Sequence, residues 1–240
     1  MSGRIGLILP CDMTLDQEYW RYVPDEVSIN ITRTGFHDGP LSIELALNVS
    51  DFSEIEYAAK SLTKIEPDVI GFACTSGSYL RGLEGERQLR QVMVKAGAKV
   101  AITTSSSLIS ALQSLGVRRI AVGTPYPENM GSLLGKFLTD AGFEPVSVIN
   151  MELDEVVDRI PDEEVWRLAQ TAMRPEAEAL FLACTGVPTF DLLRPLEEHL
   201  HIPVLSANQV TMWEALRLAN IQPAINDQYL FERTRTVQRL

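Results

Sequence analysis

Short apolar runs rich in β-branched residues recur along the chain, and longer stretches with apolar residues at every third or fourth position separate them. An apolar run of about four to eight residues bounded by turn formers is the pattern of a strand buried on both faces. Strands are therefore expected at residues 4–9, 27–33, 68–73, 99–103, 119–123, 146–150, 178–183 and 203–206. The intervening helical periodicity predicts helices such as "LISALQSLG" at 108–116, "MGSLLGKFLTDAG" at 130–142 and "VTMWEALRLA" at 210–219. Strands that alternate with helices pair in parallel and are covered on both faces, so the expected class is α/β.

The order of elements repeats. "RIGLILPCDMTLD" from Arg4 is echoed by "RRIAVGTPYPENM" from Arg118, and "DVIGFACTSGS" from Asp68 by "EALFLACTGVP" from Glu178. A third pair, "KVAITTSSSLISALQSLGV" and "IPVLSANQVTMWEALRLANI", follows in the same order. Three echoes in register predict two similar lobes related by pseudo-twofold symmetry, each a parallel four-stranded sheet flanked by helices. The expected division is 1–115 and 116–240, with the last helix of the first half free to cross over.

Composition narrows the class of function. At 240 residues, 45% of them hydrophobic, the chain can bury one sizeable core or two smaller ones. A net charge of −11 and the lack of a basic stripe argue against nucleic acid as a partner. No run approaches the roughly 18 apolar residues of a membrane span, and the N-terminal apolar run is too short for a secretory signal. A soluble cytoplasmic protein is expected, and nothing in the sequence opposes assembly into a homo-oligomer. Three cysteines are too few and odd in number for a disulfide framework, so free thiols are expected. His37, His199 and His201 lack metal-ligand spacing, which leaves no metal site, and no Walker A or GxGxxG motif follows any strand to hold a nucleotide cofactor.

The chemistry then rests on the repeated Ala-Cys-Thr. Cys74 and Cys184 each end an expected strand, 110 positions apart, at the carboxyl edge where open α/β sheets bind ligands. Each is followed by small hydroxyl and glycine residues, whose backbone N–H groups and hydroxyls can hold a carboxylate. The same dipoles are expected to lower a thiol from its ordinary value near ~8.5 and so to supply thiolate at neutral pH. A thiolate and a thiol on opposite sides of one carbon serve as base and acid, or as nucleophile and acid. Cys11, by contrast, reads as a small packed residue after the first strand's proline, in the place Tyr126 holds in the second half.

These features resemble the aspartate/glutamate racemase superfamily, and within it the branch of maleate cis-trans isomerases and arylmalonate decarboxylases. The resemblance spans nearly the whole chain and is carried by "GLILP" at 6–10, "CTSGSYLRG" at 74–82, "LQSLGVRRIAVGTPY" at 112–126 and "LACTG" at 182–186. It implies an enzyme without cofactor or metal that acts on a small carboxylate or dicarboxylate, with Cys74 and Cys184 catalytic. It further implies that Thr75, Ser76 and Tyr126 grip one carboxylate, that Thr185 and Gly186 hold a second, and that Pro10 and Asp12 lie beside the substrate.

Two positions depart from the isomerase pattern. Asp12 and Glu155 stand where those enzymes carry asparagine, and an added carboxylate repels a dicarboxylate substrate unless it is protonated or turned away. Cys74 in turn fills the place that is glycine in the decarboxylases. The reading is a two-cysteine isomerase of a maleate-like acid. The alternatives are a racemase or decarboxylase that protonates an enediolate, and a non-catalytic protein that binds small carboxylates.

Overall fold

The structure of the protein, a computed structural model, describes residues 3–153 and 157–237. Every expected strand is present, with ends displaced by at most two residues. The first sheet holds β1 (Arg4–Leu9), β2 (Ser28–Arg33), β3 (Val69–Phe72) and β4 (Ala101–Thr103). The second holds β5 (Arg119–Thr124), β6 (Glu144–Asn150), β7 (Ala179–Leu182) and β8 (Val204–Ser206). All pairings are parallel and the two sheets have one topology, β2-β1-β3-β4 and β6-β5-β7-β8, so each element of one has a counterpart in the other.

The connecting helices in the first half are α1 (Gln17–Trp20), α2 (Ile43–Asn48), α3 (Phe52–Leu62), α4 (Thr75–Tyr79), α5 (Gly82–Lys95) and α6 (Thr104–Leu115). In the second half they are α7 (Glu128–Asp140), α8 (Asp162–Ala172), α9 (Phe190–Leu200), α10 (Ala207–Leu218) and α11 (Tyr229–Val237). Helix α6 begins four residues before its apolar stripe because Thr103 and Ser106 form a capping box: Thr103 Oγ1 accepts the Ser106 N–H at 3.0 Å, and Ser106 Oγ accepts the Thr103 N–H at 2.9 Å.

Side-chain alternation along the strands explains how the sheets face each other. Ile5, Leu7 and Leu9 of β1, Ile120 and Val122 of β5 and Phe181 of β7 point into one core shared by both halves. Their neighbours Ile8, Ile70 and Phe72 enter a separate apolar cluster with α3 and α5, and Ala121, Leu180 and Leu182 enter another with α8 and α9. The halves are also tied by polar contacts. Thr104 Oγ1 of α6 meets Thr211 Oγ1 of α10 at 2.9 Å, and the Tyr79 hydroxyl donates to the Met130 carbonyl at 3.1 Å. Among the described residues, no helix is long and apolar enough to cross a membrane.

Candidate active site

Parallel sheets place their carboxyl edges together, and the loops after β1, β3, β5 and β7 converge there. They enclose a cavity of about 70 Å³ lined by Pro10, Asp12, Cys74, Thr75, Ser76, Tyr126, Cys184, Thr185 and Gly186, the full set of candidates read from the sequence except Glu155. Glu155 lies outside the described residues. The remaining lining is an apolar wall that the sequence reading did not include: Met13, Leu41, Leu45, Ala46, Val49 and Val157. Most of that wall comes from α2 and its flanks, for which the sequence offered no echo in the second half.

Cys74 sits in extended backbone (φ −146°, ψ 118°) at the N-cap of α4, and its sulfur accepts the Gly77 N–H at 3.4 Å. The cysteine's own sulfur thus caps the helix. This leaves the buried Thr75 hydroxyl without a partner among the described residues, while Ser76 Oγ lies 3.9 Å from the Cys74 sulfur. A buried hydroxyl with no acceptor or donor is costly unless a ligand completes it. Within its own half, helix α4 is pinned where Ser78 Oγ donates to the Cys74 carbonyl at 2.6 Å and meets Ser105 Oγ of α6 at 2.7 Å; its last residue, Tyr79, reaches Met130 of the other half.

Cys184 is built differently. Its φ is +87°, a left-handed backbone that side chains with a Cβ adopt rarely and at a cost of order 1–3 kcal/mol. No helix follows directly. Pro188 keeps the chain irregular until α9 begins at Phe190. The Cys184 sulfur accepts the Gly186 N–H at 3.4 Å, and the neighbouring Tyr126 hydroxyl favours its thiolate. Tyr126 is 1% exposed, a fully buried lining residue rather than a tyrosine at the rim.

Burial reverses one expectation. The thiols are not lowered by their dipoles: desolvation pushes Cys74 up to about 12 and Cys184 up to about 11, outweighing the N–H bonds from Gly77 and Gly186 that act downward. The Asp12 charge adds to the upward push on both. At neutral pH both sulfurs therefore carry protons. Cys11 is half-buried, and its sulfur lies against the His37 backbone, 3.4 Å from the nitrogen and 3.6 Å from the oxygen, outside the cavity lining. Among the described residues no group of three or more His, Cys, Asp or Glu side chains is arranged to hold a metal ion.

A family model described as arylmalonate decarboxylase matches residues 47–229. The chain belongs to the arylmalonate decarboxylase family. It is 28% identical to the arylmalonate decarboxylase of Bordetella bronchiseptica over 165 residues, 67% of this chain and 69% of the other. It is also 26% identical to the maleate isomerase of Nocardia farcinica over 238 residues, 92% of each chain. Among solved structures, a liganded arylmalonate decarboxylase with glycine replaced by cysteine and a cysteine by serine superposes with a TM-score of 0.88. That match is 25% identical and covers 96% of this chain and 99% of the other. Both an arylmalonate decarboxylase and a maleate isomerase are thus similar to this chain over two thirds of its length or more.

Proposed function

We propose that the protein is a cofactor-independent isomerase of a small unsaturated carboxylic acid, in which Cys74 and Cys184 both react. The observation that carries this reading is the placement of both thiols, each on a backbone N–H, along one small cavity that also holds an unpartnered buried hydroxyl. The proposed lobes are 1–115 and 116–240, with the site between them. Thr75, Ser76 and Tyr126 take one carboxylate, whose charge the Thr75 hydroxyl and nearby N–H groups meet.

The steps follow from the sulfurs. Cys74 first loses its proton to solvent, and its thiolate adds to one carbon of the double bond. The π pair moves to the other carbon, which takes the proton of Cys184. The saturated thioether turns about what is now a single bond. Cys184 then removes the proton, the double bond re-forms in the trans sense and the Cys74 sulfur departs. Pro10, Thr185 and Gly186 complete the wall around the reacting carbons.

Substrate size and charge are also constrained. A cavity of about 70 Å³ suits an acid of a few carbons, and the wall of Leu41, Leu45, Val49 and Val157 suits an apolar end better than a second carboxylate. Asp12 at the exposed side of the lining opposes a second negative charge. The expected substrates are therefore short cis-unsaturated monocarboxylates, with maleate a poorer one.

A second reading is favoured by the two protonated thiols together with the family match. In it, the bond to a departing carboxylate breaks, the electron pair passes into an enediolate, and the neutral Cys184 thiol protonates the carbon. Incubation with cis-unsaturated acids, maleate and aryl malonates, followed for trans product and for carbon dioxide, separates the two. Trans product without carbon dioxide supports the isomerase, and carbon dioxide release from malonates alone overturns it.

A further inference from the structure

The turn that carries Cys184 is held from the opposite half of the molecule. Glu18 of α1 is buried, and its Oε1 accepts the N–H groups of Thr189 (2.9 Å) and Phe190 (3.1 Å) at the start of α9, whose N-cap Thr189 makes no side-chain capping bond of its own. Its Oε2 accepts from Asn208 Nδ2 at 2.8 Å. The same amide nitrogen donates its second hydrogen to the Thr185 carbonyl at 3.0 Å. Both neighbours of that nitrogen only accept, so the amide has one sensible orientation. Among the described residues Glu18 makes no ion pair, and it is held by the first N–H groups of α9 instead, where a negative charge is favoured.

The Thr185 carbonyl and the Gly186 N–H belong to one rigid peptide plane. Fixing the oxygen with Asn208 therefore fixes the N–H that points at the Cys184 sulfur at 3.4 Å. We propose that Glu18 and Asn208 are positioning residues that hold the Cys184 sulfur in its working orientation through the Thr185–Gly186 peptide. The chain of bonds runs from carboxylate to amide to peptide to sulfur, each link polarising the next. The corresponding position in the first half is Ser105, the second residue of α6 as Asn208 is of α10, and it reaches the Cys74 turn through Ser78. In the second half the reach is longer because the turn is not helical, and the carboxylate comes from the other lobe.

The catalytic part of this inference rests on Cys184 as a reacting group, but its test does not need the substrate. The full-length protein and the Asn208→Ala and Glu18→Gln variants are alkylated with iodoacetamide from pH 7 to 11, and the rate at each cysteine is read by mass spectrometry. The titratable groups around Cys184 are Tyr126, Asp12, Cys74, Tyr19 and Tyr79; Asn208→Ala alters no charge among them, whereas Glu18→Gln also removes a charge that raises Tyr19. Loss of an oriented N–H donor disfavours the thiolate, so Asn208→Ala is expected to slow labelling of Cys184 by about 10-fold at neutral pH and to move its profile upward. Cys74 and Cys11 serve as controls and stay within about twofold. Glu18→Gln keeps its volume and one acceptor, and shows a smaller shift in the same direction.

With a turned-over substrate in hand, the same variants lower kcat and leave KM nearly unchanged. Unchanged or faster labelling at Cys184, or an equal change at Cys74, overturns the proposal. So does failure of both variants to fold, which makes the pair a fold element only. Retained turnover in Cys184→Ala would instead sink the functional reading while leaving the labelling result intact.

Discussion

The Cys74 and Cys184 turns share the sequence Ala-Cys-Thr and corresponding places after β3 and β7, yet they are secured in opposite ways. Cys74 has relaxed extended backbone, caps a helix with its own sulfur and is tied by Ser78 and Ser105 of its own half. Cys184 has a left-handed backbone, precedes a proline-delayed helix and is tied through Asn208 to Glu18 of the other half. The difference teaches that a repeated motif can repeat the position of a reactive atom without repeating its support. Strain at one sulfur and relaxation at the other accord with the different tasks proposed for the two groups.

The largest expected effect that tests this pairing is on turnover. Cys184→Ala should lower kcat by about 10³-fold or more, since a reacting group is removed and nothing in the cavity replaces it. Next come the carboxylate ligands. Thr75→Val or Tyr126→Phe should lower kcat/KM on the order of 10²-fold, because each removes a buried donor from the cavity. Asp12→Asn should act in the other direction, raising maleate turnover relative to a monocarboxylate, and steady-state kinetics on both substrates checks it.

Stability separates the two turns more finely. Cys184→Gly relieves a positive φ whereas Cys74→Gly only loosens an extended, buried residue, so the first should be the more stable variant by about 1–2 kcal/mol in urea unfolding. The glycines beside the sulfurs differ too. A Cβ on Gly77 would meet Ser50 Cβ at 3.0 Å, the Cys74 sulfur at 3.1 Å and Phe72 Cζ at 3.1 Å, whereas on Gly186 the near contact is the end of the Val157 side chain at 2.6 Å. Gly77→Ala should therefore cost about 1–3 kcal/mol, and Gly186→Ala less.

The last test is of pH dependence. Both thiols are raised above their ordinary value in the folded state, so the native protein holds more protons than the unfolded chain at alkaline pH. Stability is then expected to fall as pH rises from about 9 towards 12, and Cys74→Ala should flatten that fall.

Much of this was legible in the sequence because two of its signals are geometric. Strand periodicity and three echoes in one order suffice to place β1 to β8 in two sheets, and a residue just past a strand's carboxyl end must face the cleft between them. That logic brought Cys74 and Cys184 to one edge, and the family resemblance added Tyr126 and Pro10. It could not show that the second turn is left-handed, since "ACT" stands in both; Pro188, which forbids an immediate helix, was the one available signal. The wall from α2 has no echo and its short helix no long period, so Leu41, Leu45 and Val49 carried no mark of the site. The thiol shift went the other way because a sequence displays dipoles but not the depth of burial that outweighs them.

The central claim is that both sulfurs act in each turnover, and one variant tests it most directly. Cys74→Gly, shown to be folded, is given a short cis-unsaturated acid in deuterium oxide and followed for trans product and for deuterium at the carbon next to the carboxylate. Loss of both signals is the predicted result, because without the Cys74 sulfur no adduct forms for Cys184 to protonate. Trans product at the parent rate, or carbon dioxide release from an aryl malonate with deuterium delivered to one face, would contradict the account and leave a single-cysteine protonating enzyme in its place.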